Sequence, residues 1–322
     1  MRLNLRRPNP IFNDTAVLGE YSAADGASSL PDGEADDPSV GRAEILERPI
    51  GAILIESQAL KPEQVEAVLL HQRRRGMRFG DSAVDLGYVK RDDVLWALSQ
   101  QFEYPYAKAQ GAMLHRELRM ANEPFSEEVE SFRDLRSHLL MTALAPDGPR
   151  RSLAVVSPNI GDGKTFIAAN LAVAFSQLPG RTLIIDADMR TPRLHRVFGV
   201  EAANGLSGIL SGRNEVNCIS PVPSLPNLYI LPVGAVPPNP LELAQNAAFR
   251  LLLEELTRKF HYVLVDTPAA AHGSDARLIA TRAGAAVVVC RRGKSQSGPA
   301  QKLVSQLAKA QVAMGGLVMN DY

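Results

Sequence analysis

Cysteine is almost absent: Cys218 and Cys290 are the two cysteines among 322 residues, far apart and outside any metal-ligand spacing. That argues against a disulfide-stapled or zinc-ligated scaffold and suits reduced thiols in a cytoplasmic protein. Both are expected to be small core or surface residues. Excess charge of one sign is also missing, since 35 basic residues cancel 35 acidic ones. No global field then draws the chain to nucleic acid or an anionic membrane, and no nucleic-acid partner is expected. Long apolar runs are lacking too, with no stretch near the roughly 18 to 20 residues that a spanning helix needs. Arg2, Arg6 and Arg7 have no apolar core behind them, as a secretory signal would require. A soluble, cytoplasmic protein is the expectation.

What is present is enough apolar material for about two domains at this length. Residues 1–44 are rich in Gly, Ser, Pro, Asp and Ala, and Tyr21 to Val40 has almost nothing to bury. Such a segment cannot offset its ordering entropy, so a disordered N-terminal arm is expected.

Composition changes near Ile45, where an internal repeat begins. Pro49 to Gln72 lines up with Arg78 to Gln101, two copies of 24 residues separated by five. Gly51 pairs with Gly80, Leu54 with Ala83, Val65 with Val94 and Leu69 with Leu98. Each copy reads as a short helix, a turn (Ala59 to Pro62, then Gly87 to Arg91) and a second helix with apolar residues three and four apart. Acids open the second helices, Glu63 in one and Asp92 with Asp93 in the other, as the helix dipole favours. Residues 45–108 are therefore expected to be a small helical domain of two similar halves.

That spacing resembles the N-terminal domain of type II secretion and pilus ATPases, whose tandem motifs can bind cyclic di-GMP. In binding members each motif opens with arginine, an apolar residue and glycine. The second copy keeps Arg78-Phe79-Gly80, but the first has Pro49-Ile50-Gly51, and Gln58 replaces its second glycine. These departures favour a packing or docking module over retained cyclic di-GMP binding.

Residues 109–150 read as a linker carrying one strong helix, Ser126 to Leu144. Along it Glu130, Arg133 and Arg136 share one side while Phe132, Leu135 and Leu139 share another. From Arg151 onward, nearly continuous apolar runs alternate with helical ones: Ser152 to Val156, Thr182 to Ile185, Leu228 to Leu231, Tyr262 to Val265, Ala285 to Cys290 and Gly316 to Met319. Runs of this kind suit strands buried on both faces, so the fold class expected is α/β with a mainly parallel sheet flanked by helices. Ligands of such sheets lie at the C-terminal strand ends.

The first run leads into SPNIGDGKT, residues 157 to 165, and then into an apolar helix. A strand, a glycine-containing loop and a helix in that order cradle nucleotide phosphates, with backbone N–H groups facing the anion and Lys164 reaching the β- and γ-oxygens. Gly163, Lys164 and Thr165 fit the G-x-x-x-x-G-K-[ST] pattern; Pro158 stands where its first glycine would be. Two other strand ends carry acids, Asp186-Ala187-Asp188 and Asp266-Thr267-Pro268. Magnesium needs oxygen ligands, and Thr165, Asp188 and Asp266 can supply them, leaving Asp186 available as a base.

The strings EVESFRDLR (128 to 136), SPNIGDGKT, LIIDADMRTPRLH (183 to 195), GLSGIL (205 to 210), PVGAVPPNPLEL (232 to 243) and VLVDTP (263 to 268) together resemble the bacterial tyrosine autokinases of capsule and exopolysaccharide synthesis. DADMR and PPNPLEL separate that family from the related ParA and MinD positioning ATPases. The resemblance implies a P-loop NTPase kinase domain over residues 151–322 that uses ATP and Mg²⁺. It implies that Gly161, Asp162, Gly163, Lys164, Thr165 and Phe166 hold the nucleotide, with Asn320 at the adenine. It makes Lys164, Asp186 and Asp188 the catalytic set, Asp186 accepting the tyrosine proton, and Thr165, Asp188 and Asp266 the metal set. Glu130, Arg133 and Arg136 match an E-x-x-R-x-x-R motif that builds the subunit interface of a ring in which protomers phosphorylate one another.

Members usually end in a cluster of tyrosines. Here the chain closes on Asn320-Asp321-Tyr322, so Tyr322 and Tyr21 are the candidate phosphoacceptors, while Tyr104 and Tyr106 read as packing residues. The resemblance further implies a membrane-spanning chain-length-determinant partner, a polysaccharide co-polymerase, that recruits the protein to the inner membrane. Two alternatives stay open: a P-loop ATPase switch that regulates polysaccharide assembly without phosphorylating tyrosine, and a ParA- or MinD-like positioning ATPase.

Overall fold

The computed structural model of the chain describes residues 49–101, 114–213, 217–223, 225 and 227–321. The N-terminal arm and Tyr21, Tyr104, Tyr106 and Tyr322 lie outside these residues. The described residues fall into two compact units, 49–101 and 114–321.

The smaller unit follows the repeat. Helices α1 (Ile50–Glu56) and α2 (Val65–Arg75) come from the first copy, α3 (Phe79–Asp85) and α4 (Arg91–Gln101) from the second. They pair crosswise, α1 against α4 and α2 against α3. Core positions recur at one offset, Leu54 with Ala83, Leu60 with Val89 and Val68 with Ala97, all buried. The large-to-small exchanges let two unlike halves fill one interior. Turn geometry repeats as well: Gln58 has φ 60°, and its counterpart Gly87 has φ 70°.

The larger unit is a seven-stranded sheet in the order β3-β4-β2-β5-β1-β6-β7. Its strands are β1 (Ser152–Val156), β2 (Thr182–Asp186), β3 (Ser220–Pro221), β4 (Leu228–Leu231), β5 (Tyr262–Asp266), β6 (Gly284–Arg291) and β7 (Ala313–Asn320). All pairs are parallel except β3 with β4. The two-residue β3 carries no apolar run and went unpredicted. The other six fall where the apolar runs stand, each extended by a residue or more except β1 and β4.

Helix α7 (Lys164–Ser176) fills the space over one face, with every residue but Phe166 buried. Its alanines let strand and helix backbones approach closely. The region expected to be a linker belongs to this unit: α5 (Arg119–Asn122) and α6 (Glu127–Met141) pack on α7, and Val129, Phe132, Leu135 and Leu139 join the main core. An apolar stripe this wide has to be covered, which is why the helix is not a free connector. Buried Asn170 locks the junction, accepting from Met120 N–H at 2.9 Å and donating to the Glu117 carbonyl at 2.7 Å.

The other face is covered by α11 (Ala247–Lys259), α12 (Asp275–Ala283) and α13 (Ser297–Lys309), with shorter α8 (Leu194–Phe198), α9 (Leu206–Leu210) and α10 (Pro240–Gln245) in the connections. Helix α11 buries Phe249, Leu252, Leu253 and Leu256 and is capped by the Asn246 side chain, which accepts from Ala248 N–H at 3.0 Å. Among the described residues no helix is long and apolar enough to cross a membrane. Among the described residues Cys218 and Cys290 form no disulfide, and both are buried.

Candidate active site

Three C-terminal strand ends meet because β2, β5 and β1 are neighbours in the sheet. Asp186 and Asp266 are register partners, and Asp266 is also aligned with Val155 of β1. The chain following Val156 becomes the P-loop beside them. Ala187 N–H donates to the Asp266 carbonyl at 2.9 Å, and Thr267 Oγ donates to the Val155 carbonyl at 2.8 Å, stitching the three ends together. Asp162, Lys164, Thr165, Asp186, Asp188 and Asp266 are all buried.

The three acids divide by what they bond. Asp186 accepts from the Leu194 and Arg193 N–H groups at 3.0 and 3.2 Å and from Asp188 N–H at 3.2 Å. Asp188 accepts from Thr191 N–H at 2.9 Å, Arg190 N–H at 3.2 Å and Thr191 Oγ at 3.0 Å, shaping the turn after β2. Asp266 differs: both carboxylate oxygens are buried without a hydrogen-bond partner.

Burial, and next the Asp266 charge, push Asp186 well above the usual carboxylate range; the Leu194 and Asp188 N–H groups oppose the rise and Asp188's charge adds to it. Burial pushes Asp266 up to about 6, with Lys164 and then Thr165 beside it pulling the other way and Asp188 adding to the rise. The Thr165 side chain and the Thr267 N–H lie close enough to Asp266 to favour its charged form, yet neither meets a carboxylate oxygen in hydrogen-bond geometry.

A buried carboxylate with empty lone pairs, beside a lysine and a threonine hydroxyl, is what a divalent ion and its waters would satisfy. Among the described residues no group of three or more His, Cys, Asp or Glu side chains forms a self-contained cage. Such an ion would therefore take further oxygens from phosphate and water, which is how magnesium is bound with nucleotides. Thr165, Asp188 and Asp266 fit it.

The loop is shaped to admit an anion. Gly161 and Gly163 have φ 80° and 97°, and Gly163 precedes α7, whose first N–H groups are free for phosphate. Asp162 is a brace: its carboxylate accepts from Asn159 N–H at 2.9 Å and from Ser295 Oγ at 2.7 Å. Asn320, assigned by resemblance to adenine, donates its amide to the Asp162 carbonyl at 3.1 Å and sits under the loop. The Phe166 ring packs edge-on to Phe132 with the centroids 5.9 Å apart.

The E-x-x-R-x-x-R side chains are engaged within the chain. Arg133 pairs with Glu130 and the Pro124 carbonyl, and Arg136 Nη1 donates to the Ala174 carbonyl at 2.6 Å. Of the three, Glu130 faces solvent, its side chain 60% exposed.

Two groups of residues were missed. The segment Arg291 to Ser295 buttresses the P-loop, with Ser295 on Asp162 and Lys294 Nζ 3.2 Å from where a Cβ on Gly161 would stand. Its sequence signal was a basic run directly after a strand. Asp275, 2% exposed, accepts from Arg190 Nε at 2.6 Å and holds the DADMR turn onto α12; nothing in the local sequence marks it.

Residues 152–308 match the profile of the family described as cellulose biosynthesis protein BcsQ. Over 213 residues the chain is 30% identical to the tyrosine-protein kinase YwqD of Bacillus subtilis, covering 66% of this chain and 89% of YwqD. Over 199 residues it is 33% identical to the tyrosine-protein kinase wzc of Salmonella typhimurium, covering 62% of this chain and 27% of wzc, about a quarter of that relative's length. The kinase domain of the Escherichia coli tyrosine kinase ETK aligns with a TM-score of 0.61 at 29% identity, over 66% of this chain and 82% of that domain. The chimerical protein CapA2B2 aligns at 0.59 and 30% identity, over 69% and 96%. With its P-loop, its two acidic strand ends and a kinase relative matched over nearly its whole length, this chain belongs to the family of bacterial tyrosine-protein kinases.

Proposed function

We propose that the chain is an ATP-dependent protein-tyrosine autokinase, transferring the γ-phosphoryl group to tyrosine in trans within an oligomer, in the service of exopolysaccharide or capsule assembly. The observation that carries this is the pairing of Asp186 with Asp266 at adjacent strand ends beside Lys164. Lys164 would hold the β- and γ-phosphates. Thr165, Asp188 and Asp266 would hold a magnesium ion, which would supply charge neutralisation. Asp186, whose proton affinity is raised, would accept the hydroxyl proton of a tyrosine whose own pKa is near 10.

The matched family description, cellulose biosynthesis protein, supports a polysaccharide setting; a membrane co-polymerase as partner and peripheral recruitment to the membrane belong to the same proposal. Glu130, Arg133 and Arg136 would form the protomer contact, Glu130 through its exposed carboxylate and the arginines by holding α6 rigid. Tyr21 and Tyr322 stand as acceptors. The repeat unit would serve as a docking module.

A second reading, an ATPase switch with no tyrosine acceptor, draws on the three backbone N–H groups that occupy Asp186. Incubation with γ-labelled ATP, followed by separate assays of phosphotyrosine and free phosphate, decides between them. The kinase reading expects phosphotyrosine in the unaltered chain, none in Lys164→Met, and a drop of about 10²- to 10⁴-fold in Asp186→Asn. Free phosphate without phosphotyrosine, or full phosphotyrosine in Asp186→Asn, overturns it.

A further inference from the structure

A cleft of roughly 780 Å³ lies over the segment that follows β2 and is lined by His115, Arg190, Arg193, His195, Arg196 and Val236 among others, with no carboxylate in its wall. Its floor is the turn that Asp186 and Asp188 organise, since the Arg193 and Leu194 N–H groups bond to Asp186 and the Thr191 N–H to Asp188. Whatever binds there touches the segment whose backbone N–H groups hold Asp186 and Asp188.

The cleft's positive charge is only partly compensated. Arg190 is paired with buried Asp275 at 2.6 Å. Arg193 meets Glu117 at 2.6 Å in a half-exposed pair of the kind that contributes little and can exchange partners. Arg196 donates to the Pro192 carbonyl, and among the described residues its guanidinium meets no carboxylate. His195 is held below its ordinary range by burial and by Arg196, so it adds no charge near neutrality.

The chain itself contains the complementary segment. Between Arg7 and Arg42 stand seven acids, from Asp14 to Asp37, and no Lys, Arg or His. Glu20 and Asp25 flank Tyr21, and Asp32, Glu34, Asp36 and Asp37 follow. A planar guanidinium binds carboxylates in a two-point fork, which suits a cleft walled by arginines to an acidic peptide. We propose that this cleft is the docking subsite for the acidic segment 14–37 of the chain, and that docking there presents Tyr21 to Asp186. The presentation of Tyr21 rests on the kinase reading above; the docking does not.

Zero-length carbodiimide coupling on the full-length Arg196→Lys variant tests the docking without reference to catalysis. The amine introduced at 196 is expected to couple to acids between Asp14 and Asp37 at low ionic strength. The yield should fall about ten-fold in 0.5 M salt, where screening extends over only a few ångströms. Lys259 and Glu255, 2.9 Å apart, provide an internal control. Coupling at that control pair with none from position 196 to the arm overturns the proposal. In a parallel assay Arg196→Glu should lower phosphotyrosine at Tyr21 at least ten-fold while leaving ATP affinity unchanged, and Asp36→Arg with Asp37→Arg in the same chain should restore it. Coupling to the arm with no phosphotyrosine anywhere upholds the docking and refutes the kinase reading alone. Phosphotyrosine at other sites with no coupling refutes the docking alone.

Discussion

The Asn320 amide lies 2.1 Å from the point a Cβ on Gly163 would occupy, while donating to the Asp162 carbonyl at 3.1 Å. The end of the last strand thus props the phosphate loop from below, and glycine at 163 is required twice, for its φ of 97° and for the space. Gly163→Ala should destabilise the protein by about 2–3 kcal/mol and weaken nucleotide binding, as αL strain and a displaced amide combine. In an Asn320→Ala background the same change should cost at least about 1 kcal/mol less, since only the backbone part remains. Chemical denaturation of the four chains measures the coupling; equal costs in both backgrounds would show that the amide moves aside freely.

Asp266 titrates at about 6 in the fold, against an ordinary 3.8. Between those values the folded state binds more protons than the unfolded one, so stability falls as pH rises through the window and stays lowered above it. The loss for this group is about 3 kcal/mol. Asp266→Asn removes it, so the nucleotide-free variant should melt several degrees higher than the parent at pH 8 and no higher below pH 4. With Mg²⁺ and ATP the order should reverse, because only the parent offers the ion a carboxylate. A variant that melts lower at pH 8 without ligand would mean the carboxylate is already satisfied.

Gln58 adopts φ 60° where the second repeat has Gly87 at φ 70°. Gln58→Gly should stabilise the small unit by about 0.5–1 kcal/mol, and Gly87→Gln should cost a similar amount. Amide hydrogen exchange in α1 and α2 of the full-length chain reads the effect; faster exchange in Gln58→Gly would show that unfolded-chain entropy outweighs the relieved strain.

Cys290 is pushed up to about 11 by burial first and the Asp162 charge second. Since the thiolate is the reactive form, neither it nor buried Cys218 should react with a disulfide reagent in the native protein at pH 8, while both should react after denaturation. Rapid native labelling at Cys290 would mean that the β6 end opens to solvent.

Much of this was legible because the signals are local. Strands buried on both faces write themselves as apolar runs, a phosphate loop needs glycines before its lysine, and the repeat offset places Leu60 and Val89 in one core. Other features have no local trace. Asp275 becomes important through an arginine 85 positions away, and Ser295 through an aspartate 133 positions away. The helix Glu127–Met141 announces its apolar stripe, but that the stripe is spent on α7 follows from packing.

From the sequence alone come the family, the α/β class, the identity of the phosphate loop and the acids at two strand ends, since each depends on residue type and short-range periodicity. The tertiary structure decided which carboxylate is left empty. Asp186, Asp188 and Asp266 look equivalent as letters, yet the turn after β2 delivers backbone N–H groups to the first two and none to the third. It also decided that the arginines of DADMRTPRLHR share one acid-free wall, because β2 ends beside the loop around Gly234 and the turn folds back over it. Hydrogen-bond partners and local fields are set by chain segments distant in sequence, and only folding brings those together.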